Sequence, residues 1–421
     1  MALRLAAAVF ALILTAVVVY GQRRDVFIAS RNHAAIRYTS APTTDAVAEL
    51  NARLRAGTAT LEFDGRSGYL QSLLKALNVP VESQTLVFSQ SSFQGPRISM
   101  HNPRALYFND TVAVGWVRGG ELLEVAVLDR EQGPLFYALD QAPAQTPQLE
   151  RDEQCLACHL SWETLGVPGL TVHSVYPLPD EKSYVSGFTT VHGSPLEQRW
   201  GGWWVTGDTG GAKHMGNIPV MPADRKRTIA NPLRPLPAIE GLFDTSGYPS
   251  MHSDVVALLV LEHQAQMTNL LTRIGWEARL AAAERTPDSA ARVKEAAVDV
   301  VDYLLFVDEA DFAGPVRGSS RFAETFSARG PKDSRGRSLR DFDLRTRLFK
   351  HPCSYMIYTP AFDALLPAAK DAIYQRMWSV LSGRETAPRY KRVARADRLA
   401  VAEILRATKT DLPASFAGAI Q

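Results

Sequence analysis

Three cysteines among 421 residues are too few for a disulfide scaffold. No apolar stretch reaches the roughly 20 residues that a spanning helix needs. The longest run, Leu5 to Val19, follows a short basic start at Met1 to Arg4 and is close to signal-peptide length. H-E-x-x-H, the phosphate-binding loop, Gly-x-Ser-x-Gly and the dinucleotide fingerprint are all missing. Glu262, Asp299, Asp302, Asp308 and Glu309 lack the Glu-x-x-His pairs of a di-iron bundle. There is no internal repeat and no low-complexity block. A formal net charge of +2, with no recognition motif, argues against nucleic acid as a partner. The apolar and charged fractions are those of an ordinary globular chain, long enough for two or three domains or one large one.

What the cysteines do offer is Cys155-Leu-Ala-Cys158-His159. This has the form C-x-x-C-H, which reads as a c-type haem attachment site. Two thiols at that spacing reach the two vinyl groups on one edge of a haem and form thioethers. The adjacent imidazole then lies under the iron as an axial ligand. A thioredoxin-like dithiol and half of a zinc site are the rival readings. A zinc ribbon needs a second C-x-x-C, and only Cys353 is left.

Export fits this motif. Val19-Tyr20-Gly21 offers permitted residues at both positions that signal peptidase reads, which makes Gln22 the expected mature start. The Ala-x-Ala form is absent and Arg23-Arg24 follow at once, so an uncleaved anchor is the alternative. Either way a periplasmic location is expected, because haem is attached to C-x-x-C-H on the outer face of the bacterial inner membrane.

The pattern along the chain predicts an α+β protein. Residues 1–21 read as the signal peptide or anchor, 22–148 as an N-terminal α/β region, 149–245 as the haem-binding region with short strands and loops, and 246–421 as a mainly helical part. Thr44 to Leu54 reads as a helix capped by Thr44, and Gly68 to Leu77 as a second. Thr85–Ser89, Leu106–Phe108, Thr111–Val117, Leu122–Leu128 and Leu135–Leu139 read as a β-meander, with Arg118-Gly119-Gly120-Glu121 as a hairpin turn. Ala142 to Gln148 has the Pro/Gln composition of a linker. Further strands are expected at Thr171–Tyr176, Tyr184–Thr190 and Trp200–Thr206. Helices are expected from Ser253 to about Glu284, Ser289 to about Asp311, Asp363 to Leu381 and Ala394 to Thr408.

Cys155-Leu-Ala-Cys158-His159 resembles the attachment site of c-type cytochromes. Gly166-Val-Pro168-Gly-Leu170 is similar to the Gly-x-Pro-x-Leu stretch that follows that site in small soluble members of the family. There the proline carbonyl accepts a hydrogen bond from the free nitrogen of the proximal histidine. The resemblance thus implies that Pro168 orients His159; a simple turn is the alternative role for Pro168. The likeness covers about twenty residues, and the β-rich sequence after Leu170 departs from the helical small-cytochrome fold. As a whole the chain is similar to large secreted single-haem bacterial proteins whose function is not described. Two-haem peroxidases need a second C-x-x-C-H, so their mechanism does not carry over.

One iron position stays open once His159 is bound, and its occupant decides between an electron carrier and a catalytic or ligand-binding haem. His214 and Met215 lie in the glycine-flanked stretch Gly210 to Asn217, after Trp200-Gly-Gly-Trp203-Trp204. Met215 is spaced from His159 much as the ligand Met is in small cytochromes c, and Trp203 is a candidate cover for the haem. His263 and Met267 share one face with Val256, Val260, Leu270 and Ile274. A core histidine bonded to a carbonyl is the plain alternative for His263. His173, His192 and His252 have weaker claims. Cys353 beside His351 reads more simply as a buried, inert thiol.

Charge is uneven. From Arg317 to Lys350 there are ten Lys/Arg against four Asp/Glu, and Arg384 to Arg406 is also basic. Either these arginines pair with carboxylates or they form a docking face for an acidic redox partner. The expected function is one-electron transfer by a single-haem periplasmic c-type cytochrome. A peroxidase- or oxygenase-like haem enzyme and a haem-based sensor are the alternatives.

Overall fold

The computed structural model describes residues 31–176, 187–218 and 235–420. The expected signal segment lies outside these residues, as does the start of the expected strand from Tyr184. Among the described residues no helix is long and apolar enough to cross a membrane. The fold is α+β, with an antiparallel sheet at the N-terminal side and a helical layer behind it.

Helix α1 (Ala46–Arg55) begins at Asp45, whose carboxylate accepts from the Val47 and Ala48 amides. Thr44 was the expected cap; it sits one residue too early for its side chain to reach those amides. Helix α2 (Leu70–Ala76) follows. The sheet comprises β1 (Thr85–Val87), β2 (Arg104–Phe108), β3 (Val112–Trp116), β4 (Leu122–Asp129), β5 (Gly133–Asp140) and β6 (Glu150–Arg151) as a meander. The β3–β4 hairpin turns at Gly119, whose φ of 70° suits glycine. A last strand, β9 (Trp203–Trp204), pairs antiparallel with β1 and completes seven strands in the order β6-β5-β4-β3-β2-β1-β9.

That order crosses the expected boundary between residues 148 and 149. β6 and β9 come from the expected haem region yet extend the N-terminal sheet at its two edges. The stretch Ala142 to Gln148 is no interdomain linker. The Ala144 amide donates to the Tyr69 hydroxyl, and Asn51 makes two hydrogen bonds with the Leu149 backbone.

The sheet has two unlike faces because strand side chains alternate. One face carries Tyr107, Val114, Trp116, Leu123, Val125, Tyr137 and Leu139, all buried against α1 and α2. Each such aliphatic side chain contributes about 1.5–3 kcal/mol by leaving water. The opposite face mixes Ala113, Gly115, Ala126, Arg104 and Glu124 with Leu106, Phe108 and Phe136, and β4 alternates strictly between half-buried and buried.

Helix α3 (Leu156–His159) is a single turn bearing the second cysteine and the histidine. The two-stranded ladder of β7 (His173–Val175) and β8 (Gly187–Thr189) follows. Of the expected strand Trp200–Thr206 only β9 is regular. Gly201 is pressed on the Val175 carbonyl, and Trp200 and Gly202 both have positive φ, which an extended strand cannot hold.

Helix α4 (Val255–Glu284) is the spine of the second core and is buried on nearly every side in its first half. Asp254 caps it through the Val256 and Ala257 amides and, with its other oxygen, accepts from the Ser319 and Ser320 amides. Helix α5 (Pro287–Leu304) starts two residues before the expected Ser289, because Thr286 caps it and Ser289 returns the bond. It stops before Asp311, where Phe306 takes a φ of 55°. Helix α6 (Phe322–Ala328) is short. The helix expected over Asp363–Leu381 is two pieces, α7 (Pro360–Asp363) and α8 (Pro367–Leu381), since Pro367 can only open a helix. Helix α9 (Arg395–Thr408) closes the layer.

Candidate functional site

The C-x-x-C-H segment lies against the sheet. Strand β6 pairs with β5, and the Asp152 amide then donates to the Phe136 carbonyl, 2.9 Å away. The chain turns at once into the short helix, and the His159 ring comes to rest on Phe136, centroids 4.7 Å apart. Cys155 is half-buried, Cys158 is exposed, and both are free thiols. Burial, with Asp152 nearby, pushes the Cys155 thiol up to about 11.

His159 is held by one hydrogen bond. Its Nδ1 is 2.9 Å from the Gly169 carbonyl. A carbonyl only accepts, so Nδ1 carries the proton, and the Nε2 lone pair has no hydrogen-bond partner among the described residues. Burial also lowers the His159 pKa, which keeps the ring neutral. A neutral imidazole with Nδ1–H on a carbonyl is the form in which histidine binds metals.

The carbonyl belongs to Gly169 and not to Pro168. Pro168 faces Leu160 in an isolated antiparallel bridge, and the Gly169 amide donates back to the His159 carbonyl. The loop between is wound by Leu165 and Gly166, both with positive φ. These turns bring the residue after the proline, rather than the proline itself, over the ring.

A residue that sequence reasoning missed fixes this loop. Asn269 on α4 accepts from the Leu170 amide (2.7 Å) and donates to the Leu170 carbonyl (2.8 Å). Gly169 lies between the Asn269 amide and Thr164, with no room for a side chain. The available signal was a polar residue beside the apolar stripe of a buried helix. Replacing Asn269 with Leu would leave both Leu170 backbone groups unpaired. We expect a loss of about 2–4 kcal/mol in denaturant unfolding, with faster amide exchange at Leu170. An unchanged midpoint would show that the clamp is dispensable.

The candidate sixth ligands are scattered. The His214–Met215 loop folds back on the tryptophan segment: the Met215 amide donates to the Arg199 carbonyl and the Asn217 amide to the Trp203 carbonyl. His214 is buried with its edge against Trp200, and burial lowers it to about 4. Its Nδ1 accepts from the Gly216 amide. Met215 is fully buried near Gly201. Trp203 donates to the His173 carbonyl, which ties this loop to β7. His173 itself bonds Glu163, 2.8 Å away.

His263 is the core histidine of the plain reading, although its partners are side chains. Its Nδ1 is 3.0 Å from His192 Nδ1 and its Nε2 is 2.7 Å from Ser354 Oγ. Tyr303 and Phe306 lie parallel to its ring. With both nitrogens engaged, His263 has no lone pair free for iron, which corrects its place among the ligand candidates. Met267 is plain core packing. Cys353 is fully buried and burial raises its pKa, so it is an inert thiol.

The basic stretches are largely neutralised. Arg317 pairs with Asp208, Arg337 with Asp333 and Glu403, Arg340 with Asp110, Arg347 with Asp397, Arg389 with Asp302 and Asp308, and Arg392 with Asp311. Arg384 and Lys391 are exposed and carry no ion pair among the described residues.

The residues present suit a covalently held haem. Two free thiols lie in one turn, and the imidazole beside them has one nitrogen without a hydrogen-bond partner among the described residues. Compared with family models, curated proteins and solved structures, the chain matches none.

Proposed function

We propose that this chain is an exported, single-haem c-type cytochrome that carries one electron in the periplasm. The observation that supports it most is the His159 tautomer: Nδ1–H is committed to the Gly169 carbonyl, and Nε2, beside two free thiols, has no hydrogen-bond partner among the described residues. Cys155 and Cys158 tether the haem by thioethers, and His159 is the proximal ligand. When bound, the haem supplies a single iron that accepts and releases one electron. Phe136 and the Asn269-clamped loop keep the imidazole in one orientation, which limits rearrangement on electron transfer.

His214 and Met215 are the sixth-ligand candidates within this proposal. His214 retains its Nε2, and its lowered pKa keeps it neutral. An acidic redox partner docking on the C-terminal face belongs to the same proposal and rests on Arg384 and Lys391.

A second reading, a haem enzyme or sensor with an open iron position, is favoured by one observation. His263 is taken up by His192 and Ser354, which removes a distal ligand. The optical spectrum of the exported protein, oxidised and reduced, decides between them. The carrier should show one c-type haem per chain in a pyridine haemochrome assay and low-spin bands in both states. A high-spin spectrum that shifts with added small ligands would put the second reading first, and a protein without haem would end both.

A further inference from the structure

A cavity of about 90 Å³ lies where three parts of the fold meet: the β4–β5 hairpin, the second half of α4, and the chain from α7 to the start of α8. It shares no residue with the C-x-x-C-H turn. Its volume exceeds what one water needs and falls short of the roughly 150 Å³ that admits benzene. Leu271 and Gly275 of α4 line it opposite Ala361, Ala364 and Leu365. Gly275 gives the cavity part of its width. Glycine inside a 30-residue helix is disfavoured relative to alanine, yet a β-carbon here would meet one neighbour only, Leu365 Cδ2 at 3.3 Å.

One charged side chain reaches this cavity with its bonding unfinished. The Arg279 side chain is only 14% exposed, and its Nε–H is buried with no hydrogen-bond partner among the described residues. Nη1 stands 3.8 Å from Glu131 Oε2, beyond hydrogen-bond range, and Nη2 reaches Gln132 Oε1 only at 3.5 Å. Glu131 is itself exposed, so water screens that contact. Other inward-facing arginines are satisfied: Arg199 holds its carboxylate at 2.9 Å and Arg347 at 2.7 Å. Asp129, the other carboxylate of the lining, is already used, since it accepts from the Thr44, Glu131 and Gln132 amides. Arg130 also lines the cavity, and Arg37 is close enough to act electrostatically on Arg279. Both are exposed, and neither has an ion pair among the described residues. Positive charge is therefore in excess at this spot. A half-desolvated guanidinium with spare N–H groups matches a planar carboxylate, which it takes in two parallel bonds. Strongly hydrated anions such as phosphate gain nothing from leucine and alanine walls.

We propose that this cavity binds a short-chain monocarboxylate, with its carboxylate on Arg279 and its alkyl tail against Leu271, Ala361 and Leu365. Glu131 swings into water when the ligand enters. The site is separate from the haem reading and stands whether or not haem is attached.

The test is a titration of the full-length protein with sodium butyrate at constant ionic strength, followed by NMR of the backbone amides and of the arginine Nε–H groups. Binding should saturate, with a Kd in the millimolar range that so few contacting atoms allow. The Arg279 Nε–H signal, identified by its loss in Arg279→Gln, should move downfield as it gains an acceptor. The Gly133 and Thr272 amides, which line the same cavity, should move with it. Butyramide, which has the same shape without the charge, should bind roughly tenfold more weakly. Arg279→Gln should abolish saturation by butyrate. Gly275→Ala keeps the fold, because only Leu365 has to yield, and should weaken butyrate binding severalfold by narrowing the cavity. It carries the test should Arg279→Gln fail to fold. Each of three results would overturn the site: no saturable shift at Arg279 with butyrate, equal binding of butyrate and butyramide, or phosphate binding as tightly as butyrate. Butyrate binding that survives Arg279→Gln unchanged would lie elsewhere and overturn it as well.

Discussion

Exported protein carrying Cys155→Ala and Cys158→Ala together is expected to hold no haem that survives extraction with acidic acetone. The single variants should retain haem through one thioether, at reduced yield. The expectation follows from geometry. Both thiols are free, they are three residues apart on one helical turn, and no third thiol can substitute. Cys353 is fully buried in the helical core, among Tyr355, Met356 and Ile357. Substitution at the pair should cost little stability by itself, because Cys158 is exposed and Cys155 only half-buried. Loss of haem without loss of the folded chain would therefore assign the effect to attachment. Covalent haem in the double variant would remove the central proposal.

His159→Ala separates tether from ligand. The thioethers should form, and the low-spin bands should disappear, because Nε2 goes with the ring. That variant also frees the Gly169 carbonyl, so the loop held by Asn269 should loosen. Amide exchange at Leu170 measures this without reference to the haem.

Local patterns in the sequence were read correctly where one physical cause acts within a few residues. Alternation along Leu122–Leu128 marked β4, and the Gly119-Gly120 pair marked its hairpin. The long helix was visible from its apolar period, and Asp254 caps it one residue after the expected start at Ser253. What failed depended on partners far away in the chain. His263 was a fair ligand candidate until His192 and Ser354, 71 and 91 positions distant, engaged both nitrogens. The carbonyl over His159 was placed one residue early because the two left-handed residues Leu165 and Gly166 do not announce themselves, Leu165 least of all. The contact of Arg104 with Gly115 was invisible for the same reason. Gly115 and Arg104 become neighbours only through the β2–β3 register. Strands of two residues carry almost no periodicity, yet β6 and β9 join the middle of the chain to the first sheet.

The buried pair of Arg199 and Glu262 is the feature whose disruption should cost the fold most. Both side chains are essentially inaccessible, at 1% and 0% exposure, and Nη1 lies 2.9 Å from Oε2. The rest of the guanidinium donates to the His192 and Ser194 carbonyls, and the Thr190 hydroxyl donates to Glu262 Oε1 at 2.6 Å. Neither charge can reach water. Arg199→Met would leave an uncompensated carboxylate in the core, with an expected loss of about 3–5 kcal/mol in urea unfolding. The loss should have a pH signature. Without its cation Glu262 binds a proton more tightly folded than unfolded, so its folded pKa lies above the unfolded value. The variant should therefore be most stable in acid and weaken as pH rises through that folded value. Glu262→Gln should be costly too, and without that pH dependence, because the orphan is then an arginine that stays charged. The double variant Arg199→Met, Glu262→Met removes both charges and should recover much of the stability, by far more than the sum of the single losses allows. A double variant as unstable as that sum would mean that the pair acts through its bonds to the 190–194 backbone, and that the neighbouring His192–His263–Ser354 array depends on Arg199 for its position.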